Sequence, residues 1–137
     1  FESLDIDTVI SPAVGGIVIG TDVGRVMGKR TIFAERENGK MTLRRGFTIK
    51  PGEKVLVVED VITTGGSVKE VMNVVDAFGG IVMGVAVIVD RSNGSVVLHE
   101  NQFSLVPMEV LSYEESKIPK ELEAIPTTKP GSRSLKK

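Results

Sequence analysis

Val55-Leu56-Val57-Val58-Glu59-Asp60-Val61-Ile62-Thr63-Thr64-Gly65-Gly66-Ser67 decides the fold, because four apolar residues run directly into two carboxylates and then into a loop of hydroxyls and glycines. An unbroken apolar run, announced by the turn Pro51-Gly52-Glu53, predicts a parallel strand buried on both faces over Val55–Val58. From Val68 the apolar positions Val71, Met72, Val75 and Phe78 follow a helical period that stops at Gly79-Gly80. The loop therefore opens a helix. A helix start leaves backbone N–H groups unpaired and carries roughly half a positive elementary charge, so it attracts a phosphate dianion. Gly65 and Gly66 let the backbone approach, and Thr63, Thr64 and Ser67 add hydroxyl donors. Glu59 and Asp60 repel phosphate and suit diol hydroxyls, a magnesium shell or a developing cation. The order fits a sugar phosphate; a Walker pattern with its lysine is absent.

The rest of the chain repeats this unit. Asp7-Thr8-Val9-Ile10 reads as a first strand ended by Ser11-Pro12, with the loop Ala13-Val14-Gly15-Gly16 leading to a helix that carries Ile17, Gly20, Val23 and Met27 on one side. Thr31–Ala34 reads as a second strand, Glu35–Lys40 as an exposed excursion with an Asn-Gly turn signal, and Met41–Ile49 as a returning β-arm. Strands at Ile81–Val89 and Phe103–Val110 complete the alternation, which implies a doubly wound α/β domain with a parallel sheet and right-handed crossovers. Residues 1–112 form the expected core domain, and 113–137 an irregular, surface-lying tail.

Composition bounds the class. The 137 residues fit one domain, 41% hydrophobic and 26% charged. The net charge of −1 gives no support to a nucleic-acid partner. With no cysteine, disulfides and thiolate metal sites are excluded, which suits a cytoplasmic location. The longest apolar run falls far short of the about 20 residues a membrane span needs. His99, the single histidine, has no metal-ligand spacing around it and reads as a surface or hinge residue.

The acidic pair followed by Thr-Thr-Gly-Gly-Ser resembles the phosphoribosyl diphosphate (PRPP) motif of type I phosphoribosyltransferases. Met41–Phe47, Val89-Asp90-Arg91 and Lys129–Arg133 resemble the orotate phosphoribosyltransferases in particular. The resemblance runs from about Thr8 to Arg133. It implies that fold, and transfer of ribose 5-phosphate from PRPP to orotate with magnesium, giving orotidine 5′-phosphate and pyrophosphate. It also assigns roles. Val61, Ile62, Thr63, Thr64, Gly65, Gly66 and Ser67 would complete the PRPP site with Glu59 and Asp60, the pair touching the ribose hydroxyls directly or through a metal carried by PRPP. Ala13, Val14, Gly15 and Gly16 would form the pyrophosphate loop, with Val14 where many relatives carry lysine. Arg36 and Lys40 would lie in a flexible catalytic loop shared across a homodimer, with Arg44 and Arg45 as further cations. Arg91 with Thr63 would hold orotate.

Two departures stand out. Ile118 and Glu121 occupy what look like the places of a Cys-x-x-Cys pair found in one subgroup, and the chain starts at Phe1, without the roughly fifty residues that the family places before its first core strand as part of a hood over the base. Processing or truncation is the expected reason. A purine-specific enzyme and a non-catalytic PRPP-binding regulatory module are the competing functions.

Overall fold

The computed structural model describes residues 1–111 and 113–126. Its elements are β1 (Thr8–Pro12), α1 (Gly15–Met27), β2 (Arg30–Glu37), β3 (Lys40–Leu43), β4 (Lys54–Ile62), α2 (Gly66–Ala77), β5 (Ile81–Asp90) and β6 (Gln102–Pro107). Six strands form one sheet in the order β3-β2-β1-β4-β5-β6. All pairings are parallel except that of β2 with β3.

The apolar run of β4 is buried on both faces, as its composition demands. Val55 and Val57 join Val68, Val71 and Val75 of α2 in one core layer, while Leu56 and Val58 join Ile19, Val23 and Met27 of α1 in the other. Successive strand residues point to opposite faces, so one run of valines and a leucine feeds two cores. Helix α1 lies close to the sheet because its buried stripe is Gly16, Gly20 and Gly24. A Cβ at Gly20 would strike Ser11, and one at Gly24 would strike Thr31. Ile17, expected on that buried side, is not part of the cluster.

Three expectations are corrected. The strand containing the acidic pair continues to Ile62, so Glu59 and Asp60 sit inside β4 rather than at its carboxyl end. Glu35–Lys40 is no extended excursion: Glu35, Arg36 and Glu37 belong to β2 and pair with Thr42, Met41 and Lys40. Asn38 and Gly39, at φ 51° and 81°, close a two-residue hairpin, the geometry for which Asn-Gly is suited. The tail also carries some regular structure, a 3₁₀ turn at Glu115–Lys117 and α3 at Lys120–Glu123. Lys129–Arg133 lies outside the described residues.

Cross-strand charge explains the arm's form. Arg45 Nε and Nη2 donate to the two oxygens of Glu35 at 3.0 and 3.2 Å, and Arg44 pairs with Glu37 at 3.1 Å. Arg36 reaches across to Glu70 of α2 at 2.8 Å and donates to the Gly39 carbonyl at 3.2 Å.

At the amino-terminal edge of the sheet, Glu53 ties β1, β2 and β4 together. It accepts from the Thr8 hydroxyl at 2.5 Å, Arg30 at 2.5 Å and the Lys50 N–H at 2.7 Å. Burial alone would raise its pKa, but these donors and the Arg30 charge hold it down to about 2. A carboxyl depressed in the fold stabilises above its unfolded value and loses that contribution as pH falls through the folded one. Glu53→Gln is therefore expected to cost on the order of 2–3 kcal/mol at neutral pH and almost nothing near pH 2, read from urea unfolding at several pH values. A pH-independent difference would refute the linkage.

Candidate active site

The sheet order places the site. From β1 the chain winds one way to β2 and β3, and from β4 the other way to β5 and β6, so β1 and β4 flank the switch point. In open α/β sheets, ligands bind beyond the strand carboxyl ends at such a crevice. The loop Ala13-Val14 leaves β1 there and the turn Thr63–Gly65 leaves β4 there. Each leads into a helix with no side-chain cap and no acidic residue in its first turn. Two helix starts with open N–H groups thus bracket one crevice, an arrangement suited to anions.

The turn after β4 is built around Gly65, which has φ 72° and precedes α2. A side chain there would meet Leu98 at 2.8 Å and Val96 at 2.9 Å. At Gly66, by contrast, only Thr64 Oγ1 lies near the Cβ position, at 3.6 Å. The turn is supported from behind and open in front. It encloses, with Glu59, a concavity of ≈ 70 Å³ lined by Val61 through Val68. Whole-substrate pockets run to about 300–1,000 Å³, so this one holds a single small group such as a phosphate.

Glu59 is 6% exposed. Burial raises its pKa, and hydrogen bonding and charge from the neighbouring Asp60 add to this, outweighing the N–H of Asp60 that donates to Oε1 at 3.1 Å; the result is pushed up to about 8. Asp60 accepts from the Val61 N–H at 2.8 Å. The β1 loop lies against both carboxylates: a Cβ on Gly16 would come within 2.9 Å of Glu59 Oε1, and one on Gly15 would collide with Asp60. At Gly16 the Val58 carbonyl also stands at 3.2 Å, whereas at Gly15 only the Asp60 carboxylate would have to move aside.

The two side chains line different concavities, although Asp60 stays within hydrogen-bonding and charge range of Glu59. Glu59 lines the phosphate-sized concavity, whereas Asp60 lines a separate one of ≈ 420 Å³ with Gly15, Val18, Ile19, Asp22 and Ile88 along α1. Strand alternation is the cause, since the pair sits within β4.

Arg91 follows β5 at the same sheet edge, its side chain exposed and its N–H donating to the Ile62 carbonyl at 2.9 Å. The structure thus brings together Glu59, Thr63–Ser67, Gly15, Gly16 and Arg91. It does not bring in Arg36 or Lys40, which lie with Glu70 on the flank of α2. Asp90, unremarked as a site residue from sequence, is buried at the end of β5, immediately before Arg91. Burial would raise its pKa, but Ser92 and the Gly94 N–H hold it below the ordinary value. An aspartate followed two residues later by Ser and four later by Gly was the available signal. A larger concavity, ≈ 710 Å³, lies at the opposite, amino-terminal ends of the strands around Arg30 and Glu53, whose polar groups already satisfy one another.

Comparison with known proteins bears on this geometry. The phosphoribosyl transferase domain family matches residues 2–110. An orotate phosphoribosyltransferase of Chlorobium phaeobacteroides (strain BS1) is 60% identical over 98% of the chain and 70% of its own length. One from Chlorobaculum parvum is 61% identical over 98% of the chain and 69% of its length. Among solved structures, adenine phosphoribosyltransferase from Rhodothermus marinus superposes with a TM-score of 0.65 at 20% identity, covering 77% of this chain and 72% of that one, a likeness of fold alone. With a glycine-lined switch point, a phosphate-sized turn behind an acidic strand end, and that degree of identity across nearly its full length, the chain belongs to the orotate phosphoribosyltransferase family.

Proposed function

We propose that the chain transfers ribose 5-phosphate from PRPP to orotate, as an orotate phosphoribosyltransferase of pyrimidine nucleotide synthesis. The observation that carries the site assignment is the open-fronted turn Thr63–Ser67 beside buried Glu59 at the switch point of the sheet. The 5-phosphate sits on the N–H groups at the start of α2 and the hydroxyls of Thr63, Thr64 and Ser67. Glu59 meets a ribose hydroxyl, and Asp60 the side of the ribose toward the β1 loop. Gly15 and Gly16 turn backbone N–H groups of α1 toward pyrophosphate, which leaves with the electron pair of its bond to C1 as the orotate ring nitrogen, its proton released to solvent, bonds there. Arg91 grips the orotate carboxylate in a two-pronged geometry.

Among the described residues no cluster of three or more metal-binding side chains occurs. The donor set fits magnesium in its usual mode, one or two carboxylates with the remaining ligands from phosphates and water. Glu59 and Asp60 are the residues that would hold it, and its chemistry would be to neutralise charge on the diphosphate. Pyrophosphate release with PRPP, magnesium and orotate, but not adenine or hypoxanthine, is the expected result. Release with a purine alone would replace the acceptor, and PRPP binding without release would favour a non-catalytic module.

The working unit proposed is a homodimer in the cytoplasm, with residues 1–112 as the catalytic core and 113–137 as part of the hood; among the described residues no helix is long and apolar enough to cross a membrane. In such a dimer the β2–β3 hairpin reaches the partner's crevice, which gives Arg36 and Lys40 a place beside departing pyrophosphate that they lack in their own. Asp60→Asn and Lys40→Ala are each expected to lower turnover severely with the fold retained. Mixed after mild dissociation, the two variants should recover activity, because hybrid dimers contain one intact site. No recovery, with either parent still dimeric, would confine Lys40 to its own subunit.

A further inference from the structure

The segment joining β5 to β6 is held by side chains where a loop would ordinarily be held by water. Asp90, 2% exposed, accepts from the Ser92 N–H at 2.8 Å, the Ser92 hydroxyl at 2.6 Å and the Gly94 N–H at 3.0 Å. Ser92 Oγ accepts in turn from the Val96 N–H at 3.0 Å. The Gln102 amide then acts as a backbone surrogate: its oxygen accepts from the Leu98 N–H at 2.9 Å and its nitrogen donates to the Val96 carbonyl at 2.8 Å. Both ends of this clamped segment reach the crevice. Arg91 is joined to Ile62 at the end of β4, and Val96 and Leu98 stand behind Gly65.

We propose that Asp90, Ser92 and Gln102 are positioning residues that fix the span between Arg91 and the phosphate turn, so that the site selects a ligand carrying a phosphate and an anionic base at that separation. The inference rests on the reading of Arg91 as the base-binding residue. Ribose 5-phosphate touches the turn and the acidic pair but not Arg91, whereas orotidine 5′-phosphate bridges turn and Arg91, so the two ligands separate positioning from simple destabilisation. In calorimetric titrations, Ser92→Ala and Gln102→Leu should weaken orotidine 5′-phosphate about tenfold or more and ribose 5-phosphate by less than about threefold, since an ångström of misplacement is costly only where two contacts must be met together. Gln102→Glu, which keeps the acceptor for Leu98 but loses the donor to Val96, should fall between. Equal losses for both ligands, or none, in folded variants would overturn the proposal. If the unmodified chain bound ribose 5-phosphate but not orotidine 5′-phosphate, the orotate reading would fall and this one with it.

Discussion

Glu59→Gln is expected to abolish most turnover while making the ligand-free protein more stable, with the gain growing toward alkaline pH. The carboxyl is buried at the end of β4 beside Asp60, and its pKa is pushed up to about 8. A carboxyl raised in the fold binds a proton that the unfolded chain has already released. Stability therefore declines as pH climbs from the unfolded value near 4.5 through about 8, and the full cost applies above that. Glutamine is neutral at every pH and removes the cost. Each pH step of one between those two values is worth about 1.4 kcal/mol, so the gain at pH 8 and above is of the order of 2–5 kcal/mol, vanishing below about pH 4.5. Above about pH 8, where the parent carboxyl is ionised, turnover should fall by about 10²-fold or more, because the amide offers no negative charge to a developing oxocarbenium centre. Urea unfolding over the range from acid to mildly alkaline pH, alongside pyrophosphate release, tests both halves. A variant with near-normal turnover above about pH 8 would remove Glu59 from the chemistry, and one that is less stable than the parent at about pH 8 would show the carboxylate to be paired rather than strained.

The opposite behaviour of Glu53 and Glu59 shows what sequence could and could not reveal. Both are glutamates close to apolar strand residues; local sequence marks Glu59 by its neighbour Asp60 and the loop that follows, but shows the partners of neither. Glu53 is held charged by Arg30, Thr8 and the Lys50 N–H, partners brought in by the parallel pairing of three strand starts. Glu59 has only a backbone N–H and another carboxylate. The fold itself is legible because Val55–Val58 can be satisfied only by a two-sided core, and the turn because its hydroxyls and glycines open a helix. That Glu59 and Asp60 line different concavities is hidden because the apolar run stops at Val58 while the strand goes on to Ile62, carrying its alternation through the pair. In the arm, Asn38-Gly39 announces its turn. What sequence conceals is the cross-strand register that pairs Glu35 and Glu37 with Arg44 and Arg45, and the packing of α2 that draws Arg36 to Glu70. Register is a long-range property, and residues about ten apart show no helical or strand period that would announce it.

Gly65→Ala carries the second large effect, and it acts on binding more than on chemistry. Gly65 stands at φ 72°, a region that costs an alanine roughly 1–2 kcal/mol. The added methyl would also sit 2.8 Å from Leu98 and 2.9 Å from Val96, both held in place by Gln102 through their backbones. Relief by moving the turn forward narrows the concavity in which the phosphate rests. Affinity for ribose 5-phosphate should thus drop about 10²-fold, while overall stability falls by about 1–3 kcal/mol. Gly66→Ala, whose Cβ would meet nothing closer than Thr64 Oγ1 at 3.6 Å, is the control for protein packing. It should leave stability within about 0.5–1 kcal/mol, the usual difference between the two residues, yet still weaken phosphate because its methyl projects into the open front of the turn. Paired titrations and thermal melts distinguish the two. If Gly66→Ala bound ribose 5-phosphate as tightly as the parent, the front of the turn would not be where phosphate lies, and the concavity beside Glu59 would need another occupant.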